Sequence, residues 1–179
     1  MDGHDRTEYR TLRETIAARG TLRPVLLVAG LSAWALTLTA LLALVANPVT
    51  AAVPLVLLVA TFEAIRGLSA GVERIGRYIE VFHEPEGPPT APPAWERAAM
   101  RLGPALPGAG GHPLFVLLFG AATAVNYLAV LLPGPLPVEA WTMAIPHAAF
   151  IAWLVVADRA ARRQRLHERD RYREMRDSK

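Results

Sequence analysis

The 179-residue sequence contains no cysteine. That single absence excludes disulfides, thiolate zinc sites, cysteine-ligated iron–sulfur clusters and cysteine nucleophiles. Lysine is nearly absent as well: Lys179 stands alone, and arginine supplies the rest of the 19 basic residues. This bias is that of a GC-rich genome and carries no functional weight. Charge of either sign is missing from Pro24 to Phe62 and from Gly103 to Val138, and a third uncharged stretch, Ala140 to Ala157, follows Glu139. One membrane-spanning helix needs about 20 apolar residues, so each of the first two stretches is nearly two spans long. The chain also lacks a phosphate loop, a dinucleotide fingerprint, paired catalytic carboxylates and HExxH, which leaves little for an enzyme to work with. The first 23 residues hold five arginines and four acids but no early apolar core. No cleavable signal is therefore expected, and the first span is expected to direct insertion.

What is present is a chain 53% hydrophobic that also carries 15 prolines and 13 glycines, more apolar than an ordinary soluble domain. The block pattern predicts an all-α membrane protein: four transmembrane helices as two hairpins, with cytoplasmic helical extensions, in a single polytopic domain. The first hairpin turns at "VANPVT", where Asn47-Pro48 is a turn dipeptide and Pro48 suits the first position of a helix. This places spans at 24–46 and 48–67. The second hairpin turns at "PGPLP" between spans at 113–132 and 138–157, with Glu139 in the first turn of the latter, where the helix dipole favours an anion. Both second helices begin Pro-Val, as Pro48-Val49 and Pro137-Val138, and both run on into charged sequence, a faint sign of duplication. All Lys and Arg fall in 1–23, 66–101 and 159–179, and none in either turn. Basic residues in short loops stay on the cytoplasmic side. Both termini are thus expected in the cytoplasm of a bacterial inner membrane.

Three charged segments are patterned. A helix through Arg19 would align Tyr9, Leu12 and Ile16 on one face and end at Gly20. The second span is expected to continue as helix to 84, because Ile65, Leu68, Val72, Ile75, Ile79 and Phe82 recur at steps of three and four, a coiled-coil type of seam. Its natural partner is the stripe of the amino-terminal helix or the same seam of another copy. Gly67 and Gly71 form a small-x-x-x-small pair that admits close helix approach. They also make "GLSAG" resemble a hydrolase nucleophile elbow, but that motif needs a strained strand-to-helix turn, and Ser69 lies in a helix. Residues 85–112 read as a Pro/Gly-rich loop with a short interfacial helix anchored by Trp95. Residues 158–179 read as charged helix without a clean stripe, either solvated or docked on something acidic.

The candidate polar sites are few. Glu63 lies about 20 Å into the second span at ~1.5 Å per residue, where a charge costs up to roughly 3 kcal/mol at the midplane and less toward the edge. Arg66 is one turn on, and folding about Asn47 would bring Ser32 level with Glu63. This group is either a proton or cation site or an ion pair that marks the helix exit. Thr123, Asn126 and His147 form a second polar level, serving either as part of a path or as interhelical hydrogen bonds. One histidine without a second ligand at metal spacing does not make a metal site, "HEPE" at 83–86 has no ligand spacing, and no cofactor is expected. Two functions fit: a non-enzymatic scaffold or accessory subunit associating with itself or another membrane protein through the 65–82 seam, or a small channel or proton-coupled transporter using Glu63 and the Asn126/His147 level. The terminal arginines suit anionic lipid headgroups, and their interspersed acids argue against nucleic acid.

Overall fold

A computed structural model describes residues 3–44, 47–84, 98, 112–131 and 137–178. Among the described residues the chain is helical throughout, without strands. Four long helices follow one another: α1 (Gly3–Leu44), α2 (Ala52–Phe82), α3 (His112–Leu131) and α4 (Pro137–Asp177). Each is long and apolar enough to cross a membrane. Trp95 and the loop around it lie outside the described residues.

A short 3₁₀ turn, Pro48–Ala51, leads into α2. Asn47 caps it, its side-chain oxygen accepting from the Val49 amide at 3.0 Å, and Pro48 occupies a first-turn position where a missing N–H costs nothing. The first helix differs from the sequence expectation. Gly20 does not end it, Pro24 does not begin another, and α1 runs through both. A proline ring inside a helix crowds the carbonyl four residues earlier. Here that residue is Gly20, whose backbone yields most easily.

The chain forms two compact units, and α1, α2 and α4 contribute to both. One consists of Pro24–Arg66 and Pro113–Arg159. Its core joins Leu55, Leu58 and Phe62 of α2 to Phe119 and Ala122 of α3 and to Phe150 and Leu154 of α4, with Leu27, Leu31 and Trp34 of α1 packed against them. Phe62 meets Phe119 and Phe150 edge to face, with ring centroids 5.4 and 5.9 Å away, the arrangement aromatic quadrupoles favour. Val28, Leu36, Val56, Leu117 and Ile145 all point outward. An apolar exterior of this extent suits a membrane-facing surface. Gly30 is required where α1 meets α2, because an added Cβ would come within 2.8 Å of Thr61 Cβ.

The other unit consists of Met1–Arg23, Gly67–His112 and Ala160–Lys179. Ile79 is fully buried at its centre. Tyr78 meets Phe82 at a tilt and Tyr172 edge to face, with ring centroids 4.7 and 5.8 Å away, and His83 lies tilted against Tyr9 and Tyr78 at 5.8 and 5.7 Å. At this end of the α2 seam Phe82 meets Tyr172 of α4 in the same chain, at 6.3 Å, and the neighbouring Tyr78 and His83 meet residues of α1 and α4. The two glycines do not share a contact: a Cβ at Gly71 would meet Arg19, whereas one at Gly67 would meet open space.

Candidate functional site

Asn126 is completely buried in α3 and is hydrogen-bonded to three other segments. Its Oδ1 accepts from Trp34 Nε1 of α1 at 3.1 Å. Its Nδ2 donates to the Ala51 carbonyl at 2.9 Å and lies 2.9 Å from His147 Nε2 of α4. Both the indole and the carbonyl demand this amide orientation, because an indole N–H only donates and a carbonyl only accepts. The histidine tautomer follows: Nδ1 donates to the Met143 carbonyl at 2.6 Å, leaving Nε2 unprotonated to accept from Asn126. Pro146 precedes this ring inside α4 and supplies no amide proton of its own. Thr123, equally buried, turns its hydroxyl to the Phe119 carbonyl of its own helix at 2.7 Å. The predicted Asn126/His147 level is thus one hydrogen-bonded group, with Trp34 and the Ala51 carbonyl as additional members. Nothing local in the sequence marks either of these, since each is defined only by the packing of different helices.

Glu63 and Arg66 are joined as their spacing predicts. Glu63 Oε2 accepts from Arg66 Nε at 2.9 Å and from Nη2 at 2.5 Å. Ser32 is not part of this group and lies on the exposed side of α1. The further partner is Trp153 of α4, whose Nε1 donates to Glu63 Oε1 at 2.5 Å, while the Arg66 guanidinium sits 5.7 Å from the centre of the indole ring. A cation over an indole face is held electrostatically. All three side chains keep part of their surface exposed: Arg66 42%, Glu63 34%, Trp153 43%.

The charged unit contains a network the sequence pattern did not disclose. Arg77 is buried in α2 and pairs with Glu168 of α4, which also accepts from Arg74 at 3.2 Å and from Gln164 at 2.5 Å. Glu73 lies 3.5 Å from Arg77. Buried Glu80 faces Arg169 at 3.4 Å, and Glu84 faces Arg13 at 3.4 Å. The carboxyl-terminal helix is therefore docked, on α2 of its own chain, through charges of both signs. The signal was latent in α2 and the residues just past it: Arg77, Glu80 and Glu84 recur at helical spacing and are all buried. Burial raises the Glu168 pKa, but hydrogen bonds from Gln164, Arg77 and Arg74 outweigh it and hold the carboxyl below its ordinary value. Tyr78 moves the other way. Burial, and then the Glu8 carboxylate that accepts from its hydroxyl at 3.0 Å, keep its proton on to higher pH.

Among the described residues no three His, Asp or Glu side chains are grouped to hold a metal ion. Comparison with protein-family models, curated proteins and solved structures finds no match to this chain.

Proposed function

We propose that this chain is a non-enzymatic scaffold or accessory subunit of a bacterial inner membrane, multi-pass, with both termini in the cytoplasm and association by helix packing within the bilayer. The observation that carries the reading is the Asn126 group. Its amide and the two rings that meet it direct their hydrogen bonds to one another and to backbone carbonyls, as polar residues do when they hold spans together. An ion or proton path needs polar groups with unused capacity facing water. Glu63, the other candidate for such a path, is paired with Arg66 and Trp153, and what capacity this group keeps lies on its exposed surface rather than among the packed helices. Segregation of all Lys and Arg to 1–23, 66–101 and 159–179 supports the orientation.

Phe82, at the end of the seam, meets Tyr172 of its own chain, which supports assigning association with a second copy or another membrane protein to the outward apolar faces of the spans. Exposed arginines of α4, such as Arg159 and Arg163, suit anionic headgroups at roughly 1 kcal/mol each. The test is reconstitution into liposomes under a proton or potassium gradient. The scaffold reading expects leak no greater than that of protein-free vesicles. Flux that depends on the protein and disappears in Glu63→Gln or His147→Phe would replace it with the transport reading.

A further inference from the structure

The Glu63–Arg66–Trp153 group has capacity left over, and of both signs. Guanidinium carries five N–H donors. Glu63 engages Nε and one proton of Nη2, which leaves three N–H bonds, two of them side by side on the outer edge. Glu63 Oε2 already accepts two hydrogen bonds, but Oε1 accepts one, from Trp153, and a carboxylate oxygen takes two. An exposed cluster with no net charge therefore presents spare donors and a spare anionic acceptor side by side where α2 meets α4. The geometry is fixed, because Trp153 holds the carboxylate by its N–H and the guanidinium by its ring.

We propose that this cluster is a headgroup site for a zwitterionic phospholipid that carries a primary ammonium, the phosphate on the outer edge of Arg66 and the ammonium on Glu63 Oε1. This rests on the membrane-spanning reading above, which sets Arg66 at the end of the uncharged stretch, where headgroups lie and where tryptophan is favoured. Bidentate donation to phosphate is what a planar guanidinium does well. The carboxylate makes the selection. An anionic headgroup would meet Glu63 as a like charge, and a quaternary ammonium has no N–H to give it. Exposed Arg159 and Arg163 of α4 suit anionic lipids instead, so the two surfaces differ in lipid preference.

The test is native mass spectrometry of the full chain, delipidated in detergent and then offered equimolar phosphatidylethanolamine, phosphatidylglycerol and phosphatidylcholine with matched acyl chains. The site predicts retention of phosphatidylethanolamine several-fold above either of the others. Glu63→Gln is expected to remove the preference over phosphatidylcholine, and Arg66→Gln to remove retention of all three at this site. Trp153→Phe keeps the ring without its N–H and is expected to weaken the preference without abolishing it. Helicity by circular dichroism and the particle mass are checked for every variant, and any that has lost its fold is replaced by the wild-type chain in competition with soluble phosphoethanolamine. Equal retention of the three lipids, or preference for phosphatidylglycerol that survives Glu63→Gln, overturns the proposal. So does soluble phosphoethanolamine displacing the lipid at equal concentration, which would assign the site to a small solute. Failure of the chain to float with vesicles at all would instead overturn the membrane reading beneath it.

Discussion

Asn126 and Gly30 are the residues at which single substitutions are most informative. Asn126→Leu fits the space but removes three hydrogen bonds and leaves the Trp34 indole, the Ala51 carbonyl and His147 Nε2 facing hydrocarbon. Interhelical bonds in membranes average about 0.6 kcal/mol each and reach about 1.7, so the expected loss is about 2 kcal/mol, read as a lowered denaturation midpoint in mixed detergent. His147→Phe should cost less, since only one of the three Asn126 contacts goes with it. At Gly30 the obstacle is steric. Thr61 is fixed by its hydroxyl donating to Leu57 O at 2.7 Å, so it cannot easily turn away from an added methyl. Gly30→Ala should destabilise the chain in the same assay, and Thr61→Gly in the same molecule should recover most of the loss. If the two effects simply add, α1 and α2 do not meet there.

The docking of the end of α4 on α2 is an affair of elements, and its pH dependence follows from Glu168. That carboxyl titrates lower in the folded chain than in the unfolded one. Its contribution is therefore complete above the ordinary carboxylate range and is lost as pH falls through the depressed folded value. The protection of amides 160–178 against hydrogen exchange, taken relative to the intrinsic rate at each pH, should fall as the solution is acidified into and below that range, and Glu168→Gln should flatten the acid limb while lowering protection at neutral pH. Arg77 is the stronger test. Removing the buried cation leaves Glu168 only the exposed Arg74 and Gln164 as partners, so Arg77→Ala is expected to release the α4 segment more fully than Arg74→Ala, whose side chain is 57% exposed.

How far elements could be read in the sequence depended on what defines them. The four spans were legible because lipid imposes a composition, and uncharged runs mark it directly. The turn at Asn47-Pro48 was legible because its chemistry is local. Continuity of α1 through Gly20 and Pro24 was not, since each residue by itself signals a boundary, and their spacing of four is what reconciles them. The seam was visible as a pattern, but a pattern of apolar residues does not say whose surface it meets. Glu63 and Arg66 announced each other by their spacing on one helix; Trp153 is 90 residues away and gave no notice. The same holds for Glu168, lost in a segment where nearly every position is polar.

For the molecule as a whole, the membrane reading predicts sidedness. A cysteine introduced at position 48 in this cysteine-free chain should be labelled by an impermeant maleimide from outside intact spheroplasts, and one at position 178 only after lysis. Labelling of both from the same side would undo the topology. The mass of the detergent-solubilised particle bears on the proposed association. A second copy should depend on the outward faces of the spans, so Ile75→Asp should disturb the charged unit inside each chain rather than separate one chain from another.

Asn126 also bears on how the chain is made. Its partners Trp34 and Ala51 precede it in the sequence, while His147 follows it, so the amide emerges from the translation machinery before its full set of contacts exists. Until α4 is inserted, one amide proton has no acceptor in a medium that provides none. Arrival of the last helix is then the step that completes the assembly, and a nascent chain stalled short of it displays an orphaned polar group within the lipid, the kind of flaw by which surveillance proteases can tell an unfinished product from a mature one.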